Sequence, residues 1–252
     1  MCYNYRGDIL IKKIDDIDIN YIDYGEGDNT IVLLHGWGQN IDMMRPIGDR
    51  LKKSNRIIIV DLPGFGLTAE PDSVWSIYDY ADCIYKLLKS LKVKKPIMIG
   101  HSFGGKISLA YASKYDVEKL VLFGSPFRKG LKKASFKVKV YKTLKKIPVL
   151  RRLEGFAKKH LGSTDYKQAN EKMRNILVKH VNLDISEDIR KIKCPTLIIW
   201  GTNDQAVPLS EAYVLEKLIK DSAVIEYPGC THYAYLERIN QTINILKNFI
   251  GG

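Results

Sequence analysis

The chain has 252 residues, 45% of them hydrophobic and 27% charged, with a formal net charge of +12. That balance suits one or two globular domains with a sizeable core and excludes a disulfide-stapled miniprotein or a disordered chain. No apolar run nears the ~18 residues of a spanning helix, and the first residues lack the apolar core of a signal peptide. Cys2, Cys83, Cys194 and Cys230 form no CxxC pair. The expectations are a reduced, cytoplasmic protein with no zinc site and no disulfide framework.

In chain order, DILIKKI and DINYIDYG read as a hairpin turning near Asp15 and Asp16. TIVLLHG (30–36), RIIIVDLPG (56–64) and KPIMIGHS (95–102) are short, nearly continuous apolar runs. Such runs suit strands buried on both faces of a parallel sheet. Between them, Ile77, Ala81, Ile84, Leu88 and Leu91 share one helical face. KLVLFGSP (119–126), CPTLIIWG (194–201) and AVIEYPG (223–229) add strands, and Ile239, Ile243, Leu246 and Ile250 mark an amphipathic helix. Strands alternating with helices imply a doubly wound α/β sheet.

Residues 127–193 break the alternation. They hold 20 Lys and Arg against 6 Asp and Glu, a net of +14, and the remainder holds 20 against 22, a net of −2. This interval reads as a basic helical insertion. Leu131, Ala134, Val138, Tyr141 and Leu144 share a helical face, with most lysines outside it, and Pro148 interrupts the helical stretch. His160 and His180 are expected on its surface. Phe127, Phe136, Tyr141 and Phe156 are candidate pocket liners that double as candidate insertion core.

The sharpest motif is Gly100-His101-Ser102-Phe103-Gly104, a G-x-S-x-G between an apolar run and the helix-compatible GKISLAYASKY. A nucleophilic serine on a sharp strand-to-helix turn needs small neighbours. The turn also offers the next backbone N–H to an oxyanion. Two nucleotide-like patterns are set aside. Gly100 to Lys106 begins a P-loop, but Ile107 stands where a hydroxyl must hold Mg²⁺. Gly64 to Ala69 mimics a dinucleotide fingerprint, but Pro63 precedes it and no acid ends a clean second strand.

A serine nucleophile needs a base, and the base an orienting acid. His101 adjoins the serine in sequence, so its side chain points elsewhere. His232, in Gly229-Cys230-Thr231-His232, follows the last strand at the sheet edge where α/β sites assemble. Asp204, in Gly201-Thr202-Asn203-Asp204, follows the preceding strand. The order Ser102, Asp204, His232 is that of the nucleophile-elbow hydrolases. Asp61 precedes the serine and reads as shaping the Leu62-Pro63-Gly64 turn. His35-Gly36-Trp37-Gly38 reads as an oxyanion loop, with Trp37 N–H donating beside Phe103 N–H.

HGWG, DLPGFG, GHSFGG, WGTNDQAVP and the His232 loop, in this order, resemble the α/β-hydrolase superfamily over nearly the whole chain. The resemblance implies an eight-stranded, mostly parallel sheet with strand two antiparallel. It also implies a helical cap after strand six, so that 1–126 with 194–252 form the core and 127–193 the cap. It carries a triad of Ser102, Asp204 and His232, with no metal or organic cofactor. Ser102 sets the chain apart from relatives with an Asp nucleophile. Carbon–carbon bond hydrolases often show a Trp soon after the histidine, where this chain reads Tyr233-Ala234-Tyr235. The expected function is serine carboxylic-ester hydrolysis. The alternatives are an enol-lactonase, a carbon–carbon hydrolase and a non-catalytic ligand-binding homologue. The basic cap suggests an anionic partner, such as acyl carrier protein or an acidic lipid surface; with no nucleic-acid motif, nucleic acid is not expected.

Overall fold

A computed structural model describes residues 9–129 and 171–251. The strands are β1 Ile9–Ile14, β2 Ile17–Tyr24, β3 Asn29–Leu34, β4 Asn55–Val60, β5 Ile97–His101, β6 Lys119–Phe123, β7 Thr196–Gly201 and β8 Ser222–Tyr227. They form one sheet in the order β1-β2-β4-β3-β5-β6-β7-β8. Strand β2 runs antiparallel to β1 and β4, and all later pairings are parallel. The antiparallel second strand is the one the resemblance implied.

The apolar runs explain the sheet. Along β3, Val32 and Leu34 enter one core cluster and Ile31 and Leu33 the other; along β4, Ile58 and Val60 alternate likewise with Ile57 and Ile59. Alternate side chains of a strand point to opposite faces, so an unbroken apolar run is what a sheet covered on both sides requires. The first face carries α2 Ile77–Ser90, α3 Phe103–Ala112 and α6 Ser210–Leu218. The second carries α1 Ile41–Leu51, the short α7 Ala234–Glu237 and α8 Ile239–Gly251.

Ser76 and Asp79 close a reciprocal capping box that starts α2. Helix α1 was not legible in the sequence, because Pro46 and Gly48 sit inside it. Asn40 caps it by accepting from Asp42 N, and its apolar face of Met44, Ile47 and Leu51 packs on the sheet despite the proline.

Within 127–193, the described part holds α4 Glu171–Asn182 and α5 Ser186–Ile189. The remaining expectations for the interval (the Leu131–Leu144 helical face, Pro148, Phe136, Tyr141, Phe156 and His160) lie outside the described residues. Phe127 is fully buried in the first core cluster with Met173, Ile176, Ile185 and Ile189. Lys172 and Lys179 donate to the carbonyls of Pro71 and Val74, and Arg128 forms a two-pronged pair with Glu211. These cations fasten the segment to the body. Among the described residues, no helix is long and apolar enough to cross a membrane and no cluster of His, Cys, Asp and Glu is set to hold a metal.

Candidate active site

The site assembles at the carboxyl ends of β3, β5, β7 and β8. Ser102 stands between β5 and α3 with φ 52° and ψ −112°. A side chain at positive φ is strained by about 1–3 kcal/mol, and such strain gathers at functional sites. The surrounding glycines are required: a Cβ on Gly100 would lie 2.6 Å from Gly104 O, and one on Gly104 would lie 2.3 Å from Leu34 O. The backbone fixes the elbow from both sides, through Ser102 N to Phe123 O at 2.9 Å and Gly104 N to His35 O at 3.0 Å. Phe103, between them, opens α3, and a first-turn N–H has no acceptor within its helix.

Asp204 and His232 are brought together. His232 Nδ1 lies 2.7 Å from Asp204 Oδ2, and both residues are buried. The other carboxylate oxygen accepts from Ala206 N at 2.8 Å and Val207 N at 2.9 Å, so the acid cannot swing. Asn203 N donates to Cys230 O, tying the Asp204 loop to the His232 loop. Gly124 after β6 makes room for the imidazole: a Cβ there would lie 2.9 Å from His232 Nδ1, and its φ is +52°.

The Gly36–Gln39 turn, closed by Gly36 N to Gln39 Oε1 and Gln39 N to Gly36 O, carries Trp37. The indole packs edge-on against Phe103 at 5.1 Å and Phe65 at 4.9 Å. The two residues expected to supply oxyanion N–H groups are thus neighbours.

Two buried histidines build the floor. His35 Nε2 accepts from Leu62 N at 3.0 Å, so its Nδ1–H donates to Gly36 O at 2.8 Å. Burial lowers its pKa and keeps it neutral. His101 points away from the serine, as expected, but it is not idle. Its Nε2–H donates to His232 O at 3.1 Å. Burial, with the His232 ring beside it, holds its pKa well below the ordinary value. Its Nδ1 faces Gln39 Oε1 at 3.3 Å; in the neutral ring this contact joins two acceptors. No motif announces the support that His101 gives His232.

Asp61 does more than shape a turn. Its carboxylate accepts from Asn20 Nδ2, Leu67 N and Ile41 N, joining β2, the Gly64–Ala69 loop and α1. The loop that mimicked a dinucleotide fingerprint wraps this carboxylate, and Gly66 is the residue that lets it approach.

The surface placement of His180 is overturned. It is 3% exposed, with its ring 4.8 Å from Phe103 and 5.5 Å from Tyr80. The Lys-rich composition around it suggested a solvated face. However, Met173, Ile176 and His180 recur at helical spacing and form the buried stripe of α4.

A family model described as alpha/beta hydrolase fold matches residues 29–131 and 122–239. A 2-hydroxy-6-oxononadienedioate/2-hydroxy-6-oxononatrienedioate hydrolase of Escherichia coli is 27% identical, over 92% of this chain and 90% of its own. Mouse monoacylglycerol lipase ABHD6 is 29% identical, over 88% of this chain and 75% of its own. The enol-lactonase from Burkholderia xenovorans LB400 superposes with a TM-score of 0.83 at 20% identity, covering 96% of this chain and all of its own. The matched model spans most of the sheet and every site loop, and the chain belongs to the alpha/beta hydrolase family.

Proposed function

We propose that the protein is a serine hydrolase that cleaves a carboxylic ester through an acyl-enzyme. The observation that carries this reading is the 2.7 Å contact of His232 Nδ1 with Asp204 Oδ2, on the same sheet edge as the strained Ser102. A carboxylate acceptor fixes the proton on Nδ1, which leaves the Nε2 lone pair to act as base. Ser102 Oγ gives its proton to His232 and bonds to the ester carbonyl carbon. The carbonyl oxygen becomes an oxyanion held by Trp37 and Phe103 N–H. As the intermediate collapses, the carbon–oxygen bond to the alcohol breaks and His232 protonates the leaving oxygen. Water, deprotonated by the same imidazole, then attacks the acyl-enzyme and releases the acid. Every proton passes through His232, so the cycle needs no metal or redox group.

The similarity to a monoacylglycerol lipase supports an ester. Carbon–carbon bond or enol-lactone hydrolysis is the second reading, favoured by the similarity to the Escherichia coli dienedioate hydrolase. Against it, Tyr233 and Tyr235 do not stand in for the tryptophan of such enzymes. Both are buried beneath the site, Tyr233 bonded to Gln39 and Tyr235 stacked on Phe123 at 4.6 Å. The test is turnover of p-nitrophenyl acetate and butyrate with labelling by a fluorophosphonate. Turnover and labelling, both lost in Ser102→Ala, support the reading. Labelling that persists in the variant, or hydrolysis of dienoate carbon–carbon substrates alone, overturns it.

A further inference from the structure

Lys106 and His180 form a unit that the proposed chemistry does not use. Lys106 lies one helical turn after Ser102 on α3 and is 2% exposed. Its Nζ donates to His180 O at 2.7 Å and Leu183 O at 2.6 Å. These carbonyls close the C-terminus of α4, where a helix leaves acceptors unpaired and favours a cation. The helix that begins at the serine therefore grips the end of α4 and fixes where His180 lies.

That position is over the oxyanion loop. The imidazole packs against Phe103, Tyr80 and, at 6.5 Å between ring centres, Trp37. Neither of its nitrogens has a hydrogen-bond partner among the described residues. Burial, reinforced by Lys106 and Lys179, lowers its pKa to about 3. At neutral pH the ring therefore offers one donor and one acceptor. Filling the same space asks only for a phenylalanine or leucine, which carry no desolvation cost. A buried polar group left unsatisfied calls for a cause.

The sheet order separates the two halves of a substrate. Asp204 and His232 approach Ser102 from the β7–β8 side, so an alcohol protonated by His232 departs there. Trp37, Tyr80 and His180 gather around Phe103, away from that pair, which leaves their side for the chain behind the carbonyl carbon. We propose that His180 is a specificity-determining residue whose imidazole hydrogen-bonds an uncharged oxygen, a carbonyl or hydroxyl, on the acyl chain of the substrate. The preferred acyl group is oxygenated rather than plain hydrocarbon. This inference rests on the reading of Ser102 as the acylated nucleophile.

The experiment compares p-nitrophenyl pentanoate with p-nitrophenyl 4-oxopentanoate, and the hexanoate with the 5-oxohexanoate, in wild type, His180→Phe and His180→Gln. One neutral hydrogen bond is worth a preference of about tenfold in kcat/KM for an oxo ester over its parent. His180→Phe reduces that preference to about twofold or less and leaves the plain esters as good or better, while His180→Gln, which keeps a donor and an acceptor, retains part of it. A melting temperature of His180→Phe at or above wild type separates lost recognition from lost folding. No preference for either oxo ester in wild type, or a preference that survives in His180→Phe, overturns the proposal. If wild type hydrolyses none of the four esters and takes no fluorophosphonate, the nucleophile reading fails and takes this inference with it.

Discussion

The floor and the roof of the site each bury neutral histidines, and treat them in opposite ways. On the floor, His35 has a partner at both ring nitrogens and His101 donates to His232 O. Each holds a loop in place, and the polar ring is stabilised by what it bonds. On the roof, His180 is buried too, yet among the described residues its two nitrogens have no hydrogen-bond partner, and the ring lies against Phe103, Tyr80 and Trp37. The floor histidines are each held by a hydrogen bond to the protein, whereas the roof carries a desolvated donor and acceptor that no described residue satisfies.

The sharpest way to break this picture lies between the two. Ser102→Ala should lower kcat for a p-nitrophenyl ester by about 10⁶, the scale of nucleophile loss in serine hydrolases. If the floor alone positions the chemistry, Asp204→Asn should cost up to about 10⁴ in kcat, because the amide misdirects the imidazole tautomer. Asp61→Asn should leave kcat within a small factor and lower the melting temperature, because its partners are structural. Steady-state kinetics on the three variants settle the assignment; damage from Asp61→Asn at the level expected for Asp204→Asn would move the acid to β4.

The next contrast uses one substitution at two places. His35→Phe removes the acceptor for Leu62 N and the donor to Gly36 O, and should cost about 1–3 kcal/mol. In a chain this long that lowers the melting temperature by about 2–4 °C per kcal/mol. His180→Phe removes no hydrogen bond to a described residue and should be neutral or stabilising. Scanning calorimetry of the two variants reads the difference directly, and equal losses would make the roof histidine a structural ring like those below it.

The same contrast marks what was legible in the sequence. The strands were readable because a strand buried on both faces leaves an unbroken apolar run, as in IIIV of β4. The Ser102 elbow was readable because the turn tolerates only glycine at 100 and 104. Asp204 and His232 were readable because they follow the last two strands in chain order. Helix α1 was hidden by Pro46, whose cost tertiary packing outweighs. The floor role of His101 and the burial of His180 were hidden for a shared reason. Each depends on a partner far along the chain, His232 at 131 residues from His101 and Phe103 at 77 residues from His180.

The smallest effect is a slope. The pKa of His180 falls to about 3 in the folded protein, against ~6.5 for a free imidazole. Between these values the unfolded chain holds a proton that the folded roof refuses. The unfolded state therefore binds more protons, and stability rises with pH across the window. Read downward, stability is lost as pH falls from 6.5 toward 3, by at most about 1.4 kcal/mol per pH unit from this one group. The charges around the ring do not reverse the sign: Lys106 from α3 and Lys179 from its own helix reinforce it, and only Asp79 from α2 opposes them. His35 and His101 slope the same way, so wild type alone cannot isolate the roof. The difference between wild type and His180→Phe can. Urea unfolding at pH 7, 6 and 5 should show the stability of the variant gaining on wild type as pH falls. Parallel curves would mean that the imidazole already meets solvent or a proton acceptor, and that the roof is no drier than the floor.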